Sequence, residues 1–131
     1  MDAWERWWNM AQGSLSSAQI LSKQGEVRSS ASRAYYAAYQ AATALLLYHG
    51  MTPPNGREAW SHDATPGLIR ELPGTLIPES ACRDIKQRLE ACYELRIVAD
   101  YISQLSVNEA KLRLSLKDAS FIARVVGDVF P

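Results

Sequence analysis

Two arginines occupy stretches that otherwise read as apolar helix. Arg33 lies in Ser32-Arg33-Ala34-Tyr35-Tyr36, just ahead of Ala37-Ala38-Tyr39-Gln40-Ala41-Ala42, and Arg96 opens Arg96-Ile97-Val98-Ala99-Asp100-Tyr101. A guanidinium does not lose its charge in a folded protein, so each must meet a carboxylate, a carbonyl, a phosphate or water. Arg96 and Asp100 are one helical turn apart, the spacing of an i,i+4 ion pair. Two arrangements fit these residues. In the first, Arg33, Tyr36, Arg96 and Asp100 form an internal network tying two helices together, with Arg33 as partner of Asp100, and the network fixes register. In the second they line a polar pocket at a bundle or dimer surface, where the arginines bind phosphate and Tyr36 or Tyr101 orients a substrate group. A nucleotide held between the helices by Arg33, Tyr36 and Arg96 is a further use of the same set.

His62, in Trp60-Ser61-His62-Asp63, is the histidine that falls in a predicted loop. It can act as an acid or base near neutral pH, or serve as a structural hydrogen-bonding group. His49 reads as the last residue of a helix, where the dipole favours a cation. Trp4, Trp7 and Trp8 make an apolar cluster suited to core packing or to a partner surface. Cys82 and Cys92 fall on one predicted helix about 15 Å apart, at about 1.5 Å rise per residue, too far for a disulfide. With no CxxC and no His/Cys cluster, neither a metal nor a cofactor is expected.

These side chains must be placed by helices. Trp4, Trp8, Ala11, Leu15, Ala18 and Leu21 recur at helical spacing, and Lys23-Gln24-Gly25 supplies a stop. From Val27 to His49 the chain holds neither proline nor glycine, and Gly50 with Pro53-Pro54 ends this second helix. It reads as two stripes, one through Ala31, Ala34, Tyr35, Ala38, Ala42 and Leu45, the other through Arg33, Tyr36, Ala37, Gln40, Ala44 and Leu47. Residues 50–78 carry five of the six prolines and four of the seven glycines, which predicts a long loop with a short helical turn near Leu68 to Leu72. A third long helix is expected from just after Pro78 to about Leu105, through Ile85, Leu89, Cys92, Arg96 and Ala99. Ser106-Val107-Asn108-Glu109 has the capping-box pattern for a fourth, continued by Leu114, Phe121, Ile122, Val125 and Val129. No stretch alternates as a strand would. The expected fold is all-α, an up-and-down bundle of four main helices with a long loop carrying a short helix between the second and third.

The chain has 131 residues, a length that fits one domain spanning 1–131. Acidic and basic residues balance at 14 each, which excludes the global basic field of nonspecific nucleic-acid binding and makes any RNA contact local. The longest apolar run, Ala41 to Tyr48, is too short to span a bilayer, and an N-terminus with Asp2 and three tryptophans is not that of a signal peptide. A cytoplasmic protein without membrane contact is expected.

The run from Ser32 to Ala42, then Leu45-Leu46-Leu47 and Gly50, then Ser61-His62, then Arg96 to Tyr101, resembles the HEPN superfamily. More narrowly it is similar to the small stand-alone prokaryotic members, with an Arg-Ala-Tyr-Tyr helix, a Ser-His loop and a late Arg-x-x-Ala-Asp-Tyr. The resemblance implies a helical bundle, usually dimeric, often encoded beside a minimal nucleotidyltransferase as a toxin and antitoxin pair or used in defence. Active members are metal-independent ribonucleases in which an arginine is followed, after four to six residues, by a histidine. Arg96 matches that arginine and Asp100 the polar residue within the motif. Positions 101, 102 and 103, where the histidine belongs, hold Tyr101, Ile102 and Ser103. Tyrosine, with an ordinary pKa near about 10, is a poor base at neutral pH. The expected function is a HEPN module acting by association, as a homodimer and with a nucleotidyltransferase or an RNA as partner. The alternative is a divergent ribonuclease in which Arg96 of two protomers stabilises the scissile phosphate, Asp100 holds the guanidinium, and His62 or Tyr101 transfers protons.

Overall fold

Every residue from Ala37 to Leu46 is buried, so the second helix is apolar on all sides and must be surrounded. The computed structural model, which describes residues 1–131, shows how. The elements are α1 (Ala3–Lys23), α2 (Val27–Tyr48), a 3-10 turn (Pro54–Gly56), α3 (Thr65–Arg70), α4 (Glu79–Tyr101) and α5 (Glu109–Gly127), with no strand. The other four α-helices each pack on α2. The fold is all-helical, as the sequence predicts. The two stripes expected on α2 merge, because the residues between them are covered as well.

The α1–α2 seam is built from small residues. Ala11, Ser14 and Ala18 are the buried positions of α1, while Leu15 and Leu21 are only half-buried. Ser30 Oγ on α2 donates to the Ala18 carbonyl at 2.6 Å, a side chain of one helix bonded to the backbone of the other, which requires close approach. Ser14 and Gln40 meet at 2.7 Å, and the Gln40 amide nitrogen turned inward also reaches the carbonyls of Met10 and Tyr36. Gly25, at φ 78, makes the tight reversal between α1 and α2 that a side chain would strain. The tryptophans act in packing. Trp4 contacts Tyr48 and Phe130, Trp8 contacts Phe130, and Trp7 contacts Tyr39. A Cβ on Gly127 would stand 3.0 Å from the Trp8 ring, so α5 closes on this cluster only through a glycine.

Helix α4 stops at Tyr101, one turn short of the predicted Leu105. The reason lies at the start of α2: the Arg28 guanidinium donates to the carbonyls of Val98 (3.0 Å), Ala99 (2.9 Å), Ile102 (3.3 Å) and Leu105. These include carbonyls that the helix itself leaves without partners. Helix α5 likewise begins later than the Ser106 capping box predicts. Asn108 is the N-cap, its Oδ1 accepting from the Lys111 N–H at 2.8 Å, and Val107 packs against the cluster containing Leu112 in the manner of a hydrophobic staple. Arg88 pairs with Asp118 at 2.8 Å and lies 4.0 Å over the Phe121 ring, joining α4 to α5.

The connection from Gly50 to Pro78 is anchored. Trp60, Ile69, Leu72 and Ile77 are buried in the main core, and α3 forms slightly earlier than the expected Leu68 to Leu72. Cys82 and Cys92 are free and buried. Burial raises the Cys82 thiol and pushes Cys92 up to about 12, so both behave as apolar groups. No helix is long and apolar enough to cross a membrane.

Candidate functional site

The buried residues of α4 are Cys82, Ile85, Leu89, Cys92, Arg96 and Ala99, one continuous helical stripe with a guanidinium in the penultimate position. Arg96 is 9% exposed. Its Nε donates to Asp100 Oδ2 at 2.9 Å, and Nη2 donates to the hydroxyls of Tyr36 (3.0 Å) and Tyr101 (3.2 Å). Asp100 Oδ2 also accepts from Ser32 Oγ at 2.9 Å. Arg96, Asp100, Tyr36 and Tyr101 are therefore brought together where α4 ends against the first half of α2. This geometry answers the need of a charge in a core position: an i,i+4 carboxylate one turn on for Nε, and two phenols for Nη2.

Arg33 is not the partner of Asp100. The Asp100 carboxylate is held by Arg96 and Ser32, while the Arg33 guanidinium lies 4.8 Å from the centroid of the Tyr36 ring. Helical geometry explains the difference: Ser32 and Tyr36 are four residues apart and share the face toward α4, whereas Arg33 is turned about 100° from Ser32. Arg96 also stands 5.2 Å from the Tyr36 centroid, so two guanidinium groups flank one ring.

His62 falls on a different side of the tyrosines. Its Nδ1 is hydrogen-bonded to Tyr35 OH, and its ring lies near Tyr39, Tyr36 and Tyr93, with centroids 4.6, 6.1 and 5.9 Å away. Tyr39 OH donates to the Trp60 carbonyl, which fixes the strand of loop that carries His62. Tyr35 is buried, and burial raises its phenol, so it stays protonated. A buried phenol needs an acceptor, and His62 Nδ1 supplies it, which leaves the imidazole proton on Nε2. Burial, and after it the Arg96 charge, lowers the His62 pKa, with Asp63 opposing. The imidazole is thus neutral at pH 7, an N–H donor with its basic nitrogen already occupied. Beside it a cavity of about 160 Å³ opens between Tyr35, Tyr93 and Leu89, with Asp63, Glu90 and Glu94 at its rim.

Arg28, Ser32, Tyr35 and Tyr93 are not among the candidate site residues of the sequence, yet they position the site. A signal was present for the first two: Arg28, Ser32 and Tyr36 recur at i, i+4, i+8 and present one polar line to the end of α4. Tyr93 carries no comparable signal, since its role depends on where the loop lays His62. No group of three or more His, Cys, Asp or Glu side chains converges as a metal ion would need.

The depressed His62 pKa has a sign. In the unfolded chain His62 binds a proton near pH 6.5, and in the folded chain only at lower pH, so between those values the unfolded state holds more protons and stability falls as pH drops through about 6.5. Urea unfolding between pH 7 and pH 5 is expected to show a smaller loss of stability for His62→Asn than for the wild type. Equal slopes in the two proteins would remove His62 from the pH dependence.

A family model described as the HEPN domain matches residues 4–129. Among curated proteins, none matches the chain.

Proposed function

The chain belongs to the HEPN domain family, and on that premise we propose that it works by association: residues 1–131 act as one up-and-down helical bundle that pairs with a second copy in the cytoplasm. In this reading it serves as the HEPN partner of a minimal nucleotidyltransferase in a toxin and antitoxin or defence setting, with RNA as a further partner. The observation that carries the reading is the state of Arg96. A ribonuclease of this family needs that guanidinium free to meet a scissile phosphate, and here it is 9% exposed and bonded to Asp100, Tyr36 and Tyr101. Positions 101 to 103 supply no imidazole. The one nearby, on His62, is neutral, bonded through Nδ1 to Tyr35, and bordered by carboxylates that would repel a phosphate.

A surface for association is at hand. Tyr101 and Leu105, at and just after the end of α4, are 68% and 53% exposed, and Leu114 of α5, 63% exposed, lies over a groove it shares with Leu95 and Val98. Such groups are better covered by another helix than by water. The test combines light scattering on the purified protein with incubation of labelled total transfer RNA in chelator. A mass of two chains at micromolar concentration with intact RNA is expected. A monomer at all concentrations would overturn the dimer. Cleavage that persists in chelator and disappears in the charge-retaining variant Arg96→Lys would overturn the noncatalytic reading, since lysine cannot reproduce the guanidinium geometry but is less disruptive than alanine.

A further inference from the structure

We infer that the cavity beside His62 is a binding site for a small organic cation, the ammonium or guanidinium head of a free amine or of a lysine or arginine side chain. Its size comes first. About 160 Å³ holds roughly five waters at about 30 Å³ each, enough for a head group and a short stem but well below the roughly 300 Å³ at which pockets for nucleotide-sized ligands begin.

The walls come next. Tyr35 and Tyr93 meet edge to face with centroids 5.2 Å apart, and the His62 ring stacks near Tyr93 at 5.9 Å, so one part of the lining is aromatic and the other is formed by carboxylates. Aromatic faces carry the negative lobe of the ring quadrupole and attract cations. The charges at the rim have the same sign. Glu90 is paired with Lys86 at 3.2 Å, whereas Asp63 and Glu94 form no ion pair. The nearby cation, Arg96, is answered by Asp100, and His62 carries no charge at pH 7 because burial keeps it neutral. The mouth therefore holds two uncompensated negative charges beside the rings of Tyr93 and His62. The carboxylates and imidazole do not converge on a point as metal ligands do, which suits a wider ion that brings its own hydrogens. Neither a dimer nor a nucleotidyltransferase partner is required for this site.

The test is a titration of the full chain followed by NMR of the Tyr93 and His62 ring signals at constant ionic strength. The probes are methylguanidinium, putrescine and a capped arginine amide, with urea as the neutral counterpart of the guanidinium. Saturable shifts of both rings are expected with the cations and none with urea, and affinity should fall about tenfold in Asp63→Asn/Glu94→Gln, a surface pair of substitutions that leaves the core untouched. Tighter binding of putrescine supports a free amine as ligand, and tighter binding of the capped arginine supports a side chain of another protein. Shifts that never saturate, or that are the same in the double variant, would overturn the site.

Discussion

Arg96→Ala is expected to lower the free energy of unfolding by about 3 kcal/mol, which for a chain of this size moves the thermal midpoint by about 10 °C. The substitution removes three hydrogen bonds at once, to Asp100, Tyr36 and Tyr101, and opens a void in the buried stripe of α4. It also leaves Asp100 with only the Ser32 hydroxyl. The loss is kept at the lower end of the range for broken buried pairs because the Asp100 side chain is still 27% exposed and recovers part of its hydration. Arg96→Met fills much of the space without the charge, and should cost less than alanine. Urea unfolding monitored by circular dichroism measures both. An Arg96→Ala protein within about 0.5 kcal/mol of wild type would mean that the network contributes no net stability and that burial of Arg96 has another cause.

The second large effect concerns a residue with almost no side chain. Ala41→Leu should destabilise the fold by about 3 kcal/mol or prevent it from forming. Ala34, Ala37, Ala38, Ala41, Ala42 and Ala44 all have no exposed surface, and α2 has helices on every side of it. Three added carbons at such a site find no solvent to turn toward, so either α2 leaves its preferred rotamers or a neighbouring helix moves away. The Ser30 to Ala18 hydrogen bond, which requires the α1 and α2 backbones to stay close, would be an early casualty of that movement. Thermal unfolding followed by circular dichroism gives the result, and a midpoint within about 2 °C of wild type would show slack in the core that the burial does not reveal. A matched Leu45→Met change, conserving volume at another fully buried position of α2, should cost under about 1.5 kcal/mol and separates overpacking from general sensitivity of the helix.

The sequence carries the helices because their signals are local. Alanine content, glycine stops and the periodic apolar positions place α1, α2 and most of α4 and α5 within a few residues. The boundaries that differ have different causes. Helix α4 ends where Arg28, 70 positions earlier, holds its carbonyls, whereas α5 starts at a local signal, the Asn108 cap with Val107 against Leu112, which wins over the Ser106 capping box. The same division holds at the site. The Arg96–Asp100 pair is legible from spacing alone and is present. The Arg33–Asp100 pair is expected from the sequence and does not form, because Ser32 and not Arg33 lies on the face of α2 that meets Asp100. His62 was identified as chemically capable, but its tautomer and charge depend on Tyr35, which reaches it across 27 positions of sequence.

Arg28 has a bearing on the order of events in folding. Its bonds join the first turn of α2 to residues 70 or more positions later, so they form only after most of the chain between has closed into a loop. Contacts of such separation come late, after the local α1–α2 hairpin has had time to assemble. An interaction that forms after the transition state acts on the reverse journey: it raises the barrier to leaving the native state and leaves the forward rate nearly unchanged. Bonds of this kind lengthen the life of a folded chain more than they hasten its formation.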